Sequence, residues 1–380
     1  MKSYNHLFEE LISYDNLHRA IINSSRRKRK REDVQKVLSN PSFYIEKLQA
    51  MLLDKTYAIQ KHKAIEIFDG SSKKTRLIIQ PKYLFEQIIQ HAIVQVLSPI
   101  FMKGMYEFSC GSIPNRGCHY GKRHIEKFIR ENENSPEIKY ILKMDIHHYY
   151  QSVDIGILKE KLKKIIRDEK MLYVIDLVLD SNIAEHEGEL INMGLPIGFY
   201  TSQWFANWFL QDFDHIIKEK LHTKCYVRYV DDIVLFNKNK KELHKNFATL
   251  KKYLNSVNLE IKGNWQVFKF EYTTSKGNKI GRPLDFMGFK FYRDKTTLRK
   301  SIMLKATRKA LRLKNKEKIT WYDASQLLSY MGWFKSTDTY NVFQKYIKPN
   351  VNIKACKLKI GQRQRLINKE RTNELNLQTG

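Results

Sequence analysis

The sequence predicts an α+β protein whose antiparallel sheet is backed by helices. Three observations lead there. Strand-length runs rich in β-branched and aromatic residues alternate with segments of helical spacing through the middle of the chain, an order that an all-helical bundle does not produce. Tyr229-Val230-Asp231-Asp232 lies between the apolar runs Cys225–Tyr229 and Ile233–Phe236 and reads as two strands joined at paired carboxylates. With 380 residues, 42% of them hydrophobic, the chain can bury a large core divided among two or three subdomains.

In order along the chain, Tyr4 to Ile22 carries Leu7, Leu11, Ile12, Leu17, Ala20 and Ile21 at helical spacing, and the basic run Arg26-Arg27-Lys28-Arg29-Lys30-Arg31 follows as an exposed segment. Pro41 to Leu53 is a second helix. Residues Ala64 to Gln80 read as a strand pair about the turn Asp69-Gly70-Ser71-Ser72; Pro81 ends the pair, and a helix from Leu84 to Leu97 comes next. Tyr140–Ile146 is a strand, Ile155–Arg167 and Trp204–Lys220 are helices, then comes the carboxylate hairpin, and Lys241–Leu254 is helical. Beyond Phe291 the pattern turns basic and helical with interleaved aromatics from Leu304 to Tyr346, and Asn368 to Gly380 reads as a polar, loose tail.

The net charge of +28 predicts salt-sensitive attraction to a polyanion, nucleic acid first. A membrane is the rival, but there is no run of about 18 apolar residues and the basic residues are spread along the whole length. Cys110, Cys118, Cys225 and Cys356 form no close pair of the zinc type, and with His119, His147 and His148 they make no zinc-type cluster; reduced structural thiols are expected. The start Met1-Lys2-Ser3-Tyr4-Asn5-His6 lacks a signal-peptide core, which predicts a cytosolic protein.

The chemistry concentrates on carboxylates. Asp145 ends the apolar strand Tyr140–Met144; taken alone it is as well explained as a helix cap, and Asp231-Asp232 alone as a solvated turn. Together they supply what nucleotidyl transfer requires, since two divalent ions about 3.5–4 Å apart are held by carboxylates, carbonyls and substrate phosphates. Taken alone, the stretch around Gly198 is a loop opening a helix with Ser202 near its cap, and Lys74 and Arg76 are surface charges at alternate strand positions.

Asp145 in a D-x-x-x-x-Y context, then Gly194-Leu195-Pro196-Ile197-Gly198 through Gln203, then Y-V-D-D, resembles the palm of a reverse transcriptase. Lys74-Thr75-Arg76 is similar to the family's fingers motif, and Pro283-Leu284-Asp285-Phe286-Met287-Gly288-Phe289 to its primer-grip hairpin. The resemblance implies a right-hand polymerase: N-terminal helices and fingers over 1–137, a palm over 138–293 with 155–193 partly fingers, a basic helical thumb over 294–367, and the tail 368–380. It also implies that Asp145 and Asp231 hold two Mg²⁺ ions, or Mn²⁺ in their place, assisted by Asp232 and the Ile146 carbonyl. Lys74, Arg76, Tyr150, Ile197, Gly198 and Gln203 would bind the nucleotide, with Tyr150 set against the ribose 2′-hydroxyl. Lys262 falls near the position of a proton donor to pyrophosphate, on rough position alone.

Ile197-Gly198 followed by Ser202-Gln203, in the form I-G-x-x-x-S-Q, and the Asp15-Asn16-Leu17 helix resemble the enzymes of diversity-generating retroelements. That subtype implies a specific structured template RNA, a cDNA product, dNTPs, a small basic accessory protein, a bacterial or phage-encoded setting, and errors opposite template adenine. Related reverse transcriptases of antiphage defence systems are equally compact and are the alternative within the family, since Ser202-Gln203 alone does not separate the two. A non-catalytic, maturase-like RNA scaffold is the alternative of another class, and Asp145, Asp231 and Asp232 speak against it. The short stretch after the thumb predicts no RNase H or integrase domain, and no HNH-type cluster of His and Cys is seen for an endonuclease.

Overall fold

The computed structural model describes residues 3–69 and 74–379; the expected turn at 70–73 lies outside them. The chain opens with α1 (Leu7–Ile12), α2 (Tyr14–Ser24), α3 (Glu32–Ser39) and α4 (Pro41–Leu53), followed by strands β1 (His62–Asp69) and β2 (Lys74–Ile79). A π turn over Tyr83–Gln87 leads into α5 (Ile88–Gly104), and α6 (Cys118–Glu131) follows. Next come β3 (Tyr140–Asp145), α7 (Tyr149–Ser152), α8 (Ile155–Ile165), α9 (Glu169–Asp180), β4 (Ile183–His186) and β5 (Glu189–Asn192). Helices α10 (Tyr200–Phe209) and α11 (Gln211–His215) precede the hairpin β6 (Tyr226–Tyr229) and β7 (Asp232–Asn237), then α12 (Lys240–Ser256) and β8 (Gln266–Lys269). Strands β9 (Tyr272–Thr273), β10 (Lys279–Ile280), β11 (Leu284–Phe286), β12 (Phe289–Phe291) and β13 (Thr296–Leu298) lead to α13 (Lys300–Lys314), α14 (Trp321–Lys335), α15 (Tyr340–Tyr346) and α16 (Ile353–Thr379). This is the α+β class the sequence predicts.

Two compact units result: Met1–Gly117 with Leu142–Val267, and Cys118–Ile141 with Phe268–Gly380. In the first unit, β1 pairs antiparallel with β2, from Ala64 opposite Ile79 to Asp69 opposite Lys74, and parallel with β4 through His62 and Ala184. A second sheet runs in the order β6-β7-β3-β8. Its strands are apolar, with Leu142, Met144, Val227 and Ile233 to Phe236 buried, and Trp204, Phe205, Trp208 and Phe209 of α10 are buried as well. Helix α5 packs on α2 and α10. The stretch Tyr83–Gly104 is long and apolar enough to cross a membrane by length and composition, contrary to the expectation that no run of about 18 apolar residues occurs. However, 61% of its apolar window is buried in the protein, as in a core helix.

In the second unit, β11, β12 and β13 form an antiparallel sheet in which Phe286 faces Phe289 and Phe289 faces Leu298. The β11–β12 loop is Met287-Gly288, both at positive φ (51° and 86°), the geometry of a tight two-residue hairpin. Phe289 lies 4.9 Å from the Trp333 ring of α14. The start of α14 is fixed by Thr320 and Asp323, each accepting from the other's backbone N–H.

Several boundaries differ from the sequence reading for local reasons. The single N-terminal helix is two, because Ser13 ends α1 and its hydroxyl accepts the Asn16 N–H that opens α2. The strand reading to Ile146 ends at Asp145, and Ile146 makes an isolated bridge to Ile261. The expected helix over 204–220 starts earlier, at Tyr200, and breaks after Phe209, continuing as α11 and a π turn over Ile216–Lys220. The tail is helical to Thr379 rather than loose; no proline interrupts Ile353–Thr379, and Leu, Lys, Arg, Gln and Glu supply good helix formers along it.

Candidate active site

The three carboxylates, the candidate nucleotide-binding residues and Lys262 fall in the first unit, and the hairpin Pro283 to Phe289 in the second. Tyr229 pairs with Asp232, so the hairpin loop consists of Val230 and Asp231 alone. Val230 has φ 58°, a left-handed conformation that a β-branched residue adopts only under constraint. A two-residue loop with positive φ at its first position is the type II′ arrangement, which matches strand twist and normally employs glycine there. This loop presents Asp231 beside the end of β3: the Ile146 N–H donates to the Asp231 carbonyl at 3.2 Å, and the Lys262 N–H donates to the Asp145 carbonyl at 2.9 Å.

Asp145 and Asp231 share one electrostatic field. Burial pushes the Asp231 carboxyl above its ordinary value and the neighbouring Asp145 charge pushes it further; its own backbone N–H, Lys262 and Arg76 pull it back. The Lys262 ammonium is ion-paired directly with Asp145 Oδ1. Asp232 has a different neighbour, Lys143, whose Nζ lies 3.9 Å from its Oδ1.

Among the described residues, no group of three or more His, Cys, Asp or Glu side chains converges as a metal cage. The donor set still fits Mg²⁺. That ion takes one or two protein carboxylates and completes its shell with water and substrate phosphates, and here a pair of coupled carboxylates already draws an ammonium onto Asp145.

Tyr150, on α7, has its hydroxyl pushed up to about 12 by burial and then by the Asp231 charge, which places the phenol in the same field. Its carbonyl accepts the Leu195 N–H at 2.7 Å. Gly194, at φ 56°, lies so close to this backbone that a Cβ would stand 2.5 Å from the Tyr150 and Gln151 carbonyl oxygens. At the other end of the loop, the Ile79 N–H donates to the Ile197 carbonyl at 2.9 Å, and Gly198, at φ 117°, would carry a Cβ 1.9 Å from the Ile79 oxygen. Both glycines are therefore required by close approach, and the loop is fastened between α7 and the end of β2.

A cavity of about 650 Å³ opens against this loop, and Arg76, Tyr150, Ile197, Gly198 and Gln203 line it; Lys74, exposed at the start of β2, does not. Ser202 lies in the first turn of α10, three residues after the N-cap Phe199. The same wall includes Lys28, Lys82, His91 and Tyr200, which sequence reasoning did not place there. His91 stacks on Tyr200 with ring centroids 3.8 Å apart, and burial, with Lys28 and Arg26 adding to it, holds its imidazole down to about 4, so the ring is neutral at pH 7. No spacing rule connects residues 28, 91 and 200; only the charge of the 26–31 run was a signal.

Behind the hairpin lies a second feature missed by the sequence reading, Arg228. Its side chain is fully buried against Asp214 and Asn207. The signal was present, since Tyr-Val-Arg-Tyr sets one charge in the middle of an apolar strand.

Residues 59–291, more than half of the 380, match the family model described as "Reverse transcriptase (RNA-dependent DNA polymerase)". No curated protein matches the chain.

Proposed function

This chain belongs to the reverse transcriptase family and is an RNA-directed DNA polymerase acting on dNTPs and an RNA template; from that premise we propose that it makes cDNA from one structured RNA in a diversity-generating retroelement of a bacterial or phage genome, working in the cytosol. The observation that carries the catalytic part is the coupling of Asp145 and Asp231 beside the cavity that Tyr150 and Gly198 line. The subtype rests on Ile197-Gly198 with Ser202-Gln203, whose Ile197 lies on the cavity wall. A small basic accessory protein belongs to this reading.

Each role is assigned to named groups. Asp145, Asp231, Asp232 and the Ile146 carbonyl are the groups that would hold Mg²⁺, or Mn²⁺ in its place, and the metal would supply activation of the primer 3′-hydroxyl and neutralisation of phosphate charge. Arg76 offers its fork to the triphosphate from the cavity wall, and Lys74 adds a more distant positive charge. Tyr150 closes the cavity against a ribose 2′-hydroxyl. Gly198 lets the loop backbone meet the nascent base pair, and Ile197 and Gln203 shape that wall. Lys262 carries a proton at Nζ beside Asp145, where the leaving pyrophosphate can take it. In this reading residues 1–137 with part of 155–193 act as fingers, 138–293 as palm and 294–367 as thumb.

Primer extension on an RNA template with Mg²⁺, wild type against Asp231→Ala, tests the catalytic assignment. Extension that survives the substitution removes Asp231 from the site. Sequencing of the cDNA tests the subtype: misincorporation concentrated opposite template adenine supports it, and equal error at all four bases sinks it. Protection of a host from phage, without a variable target gene, would point instead to the related defence systems.

A further inference from the structure

We propose that Arg228 is a positioning residue that fixes the carbonyl of Val230, and through it the Asp231 carboxylate, in the geometry needed for metal binding. The inference rests on the reading of Asp231 as a metal ligand and assigns the device that aims it.

Arg228 and Asp214 are both 0% exposed. The guanidinium makes five bonds with its five N–H donors. Nε and Nη2 donate to the two Asp214 oxygens at 2.8 and 2.6 Å, Nη1 to Asn207 Oδ1 at 3.3 Å and to the Val230 carbonyl at 3.1 Å, and Nη2 to the Asn207 carbonyl at 3.2 Å. Burial disfavours the guanidinium charge, and Asp214 outweighs that, so Arg228 stays charged. A buried ion pair is weak evidence of stabilisation, because apolar residues of similar volume often do as well. What apolar residues cannot do is hold a particular carbonyl, and the carbonyl held here belongs to the strained residue directly before Asp231.

The other side of the turn is closed by the same network. Asn207 Nδ2 donates to the Gly111 carbonyl at 2.8 Å. A Cβ on Gly111 would stand 2.3 Å from Val230 Cγ2, so the turn rests directly on this glycine backbone. The 108–110 segment also pairs with Arg228, its Phe108 carbonyl accepting the Arg228 N–H at 3.1 Å and its Cys110 N–H donating back at 2.8 Å. Val230 is thereby held at φ 58° from below by Gly111 and from within by the guanidinium. Asn207 stands on α10, the helix that also carries Gln203 on the cavity wall. One buried constellation thus ties the metal turn to the nucleotide wall.

Arg228→Lys keeps the charge and its partner Asp214, but an ammonium cannot reproduce the planar fork that spans Asp214, Asn207 and Val230. The assay is Mn²⁺ binding, followed by paramagnetic resonance, to a complex of the protein with an RNA template, a dideoxy-terminated primer and the next dNTP. Asp231→Ala defines the site-specific part, and Leu250→Ala in α12 serves as a destabilised control outside the site. Arg228→Lys is expected to weaken the Asp231-dependent binding by about 10–100-fold, the range for residues that orient metal ligands, while Leu250→Ala leaves it unchanged. Binding equal to wild type in a folded Arg228→Lys overturns the inference. Should that variant not fold, Asn207→Ala, which retains the Asp214 pair, must show the weakening, and wild-type binding there overturns the inference equally. Absence of any Asp231-dependent binding in the wild type overturns the metal reading itself, and the inference with it.

Discussion

Replacing Gly198 by alanine should detach the nucleotide loop from β2 without unfolding the protein. A Cβ at this position would meet the Ile79 carbonyl oxygen at 1.9 Å, against the 3.0 Å below which such contacts are essentially never seen, so loop or strand end must retreat by about 1.1 Å. The φ of 117° adds backbone strain of about 1–3 kcal/mol for an L residue. Retreat also breaks the bond between the Ile79 N–H and the Ile197 carbonyl, a net loss of about 1 kcal/mol. The sum, about 2–4 kcal/mol, is small enough to be absorbed by local release of the loop. Because misplacing a reacting group by about 1 Å can cost 10²-fold, kcat/KM for dNTP should fall by about two orders of magnitude. Steady-state extension with varied dNTP reads this, beside thermal unfolding of the same preparation. A Gly198→Ala protein that extends primers with kcat/KM within two-fold of wild type refutes the argument, because the loop would then not form the nucleotide wall.

Asp231→Asn should raise the melting temperature of the metal-free protein at pH 7. The folded-state pKa of Asp231 is raised by burial and by Asp145, so its favourable contribution exists below the unfolded-state value and is lost as pH rises through the folded one; the advantage of asparagine should disappear in acid, and an unchanged melting temperature at pH 7 contradicts the coupling. Tyr150→Ala, by opening the wall set against the 2′-hydroxyl, should raise ribonucleotide relative to deoxynucleotide kcat/KM by about 10–100-fold, measured in parallel extensions. Asp323→Ala removes the N3 half of the α14 capping box and the partner of Lys309 and Lys316, and should cost about 1 kcal/mol in denaturant unfolding at pH 7. Those lysines and the Thr320 groups hold the Asp323 carboxyl well below its ordinary value, so its contribution is present above the unfolded-state pKa and vanishes as pH falls through the folded one; a deficit undiminished in strong acid refutes that assignment.

What the sequence disclosed was whatever its local order encodes. The β6–β7 hairpin, β3 with its terminal Asp145, the β1–β2 pair and α12 follow from alternation and helical spacing, and the glycine loop from residue types that tolerate close approach. The breaks at Ser13 and after Phe209 were harder to see because the apolar pattern continues across them. A single hydroxyl decides the first. Lys28, His91 and Tyr200 were invisible as a group because their proximity depends on the path of α5 and α10 in space.

Asp231 shows why the two kinds of information were needed together. Its type and position in Y-V-D-D could be read directly, yet neither says that the carboxyl is held against its own preference. Burial and Asp145 both oppose its charge, Lys262 and Arg76 relieve it, and the residue before it occupies a backbone region its side chain resists. A turn carrying this much unfavourable electrostatics would relax toward solvent if only the hairpin's own bonds held it. It is retained because Arg228 donates to the Val230 carbonyl from the interior while Asn207 and Gly111 close the opposite side. The arrangement trades stability of the isolated protein for affinity toward a cation. Relaxing Arg228 should therefore weaken metal binding, whereas neutralising Asp231 should abolish it and stabilise the metal-free fold.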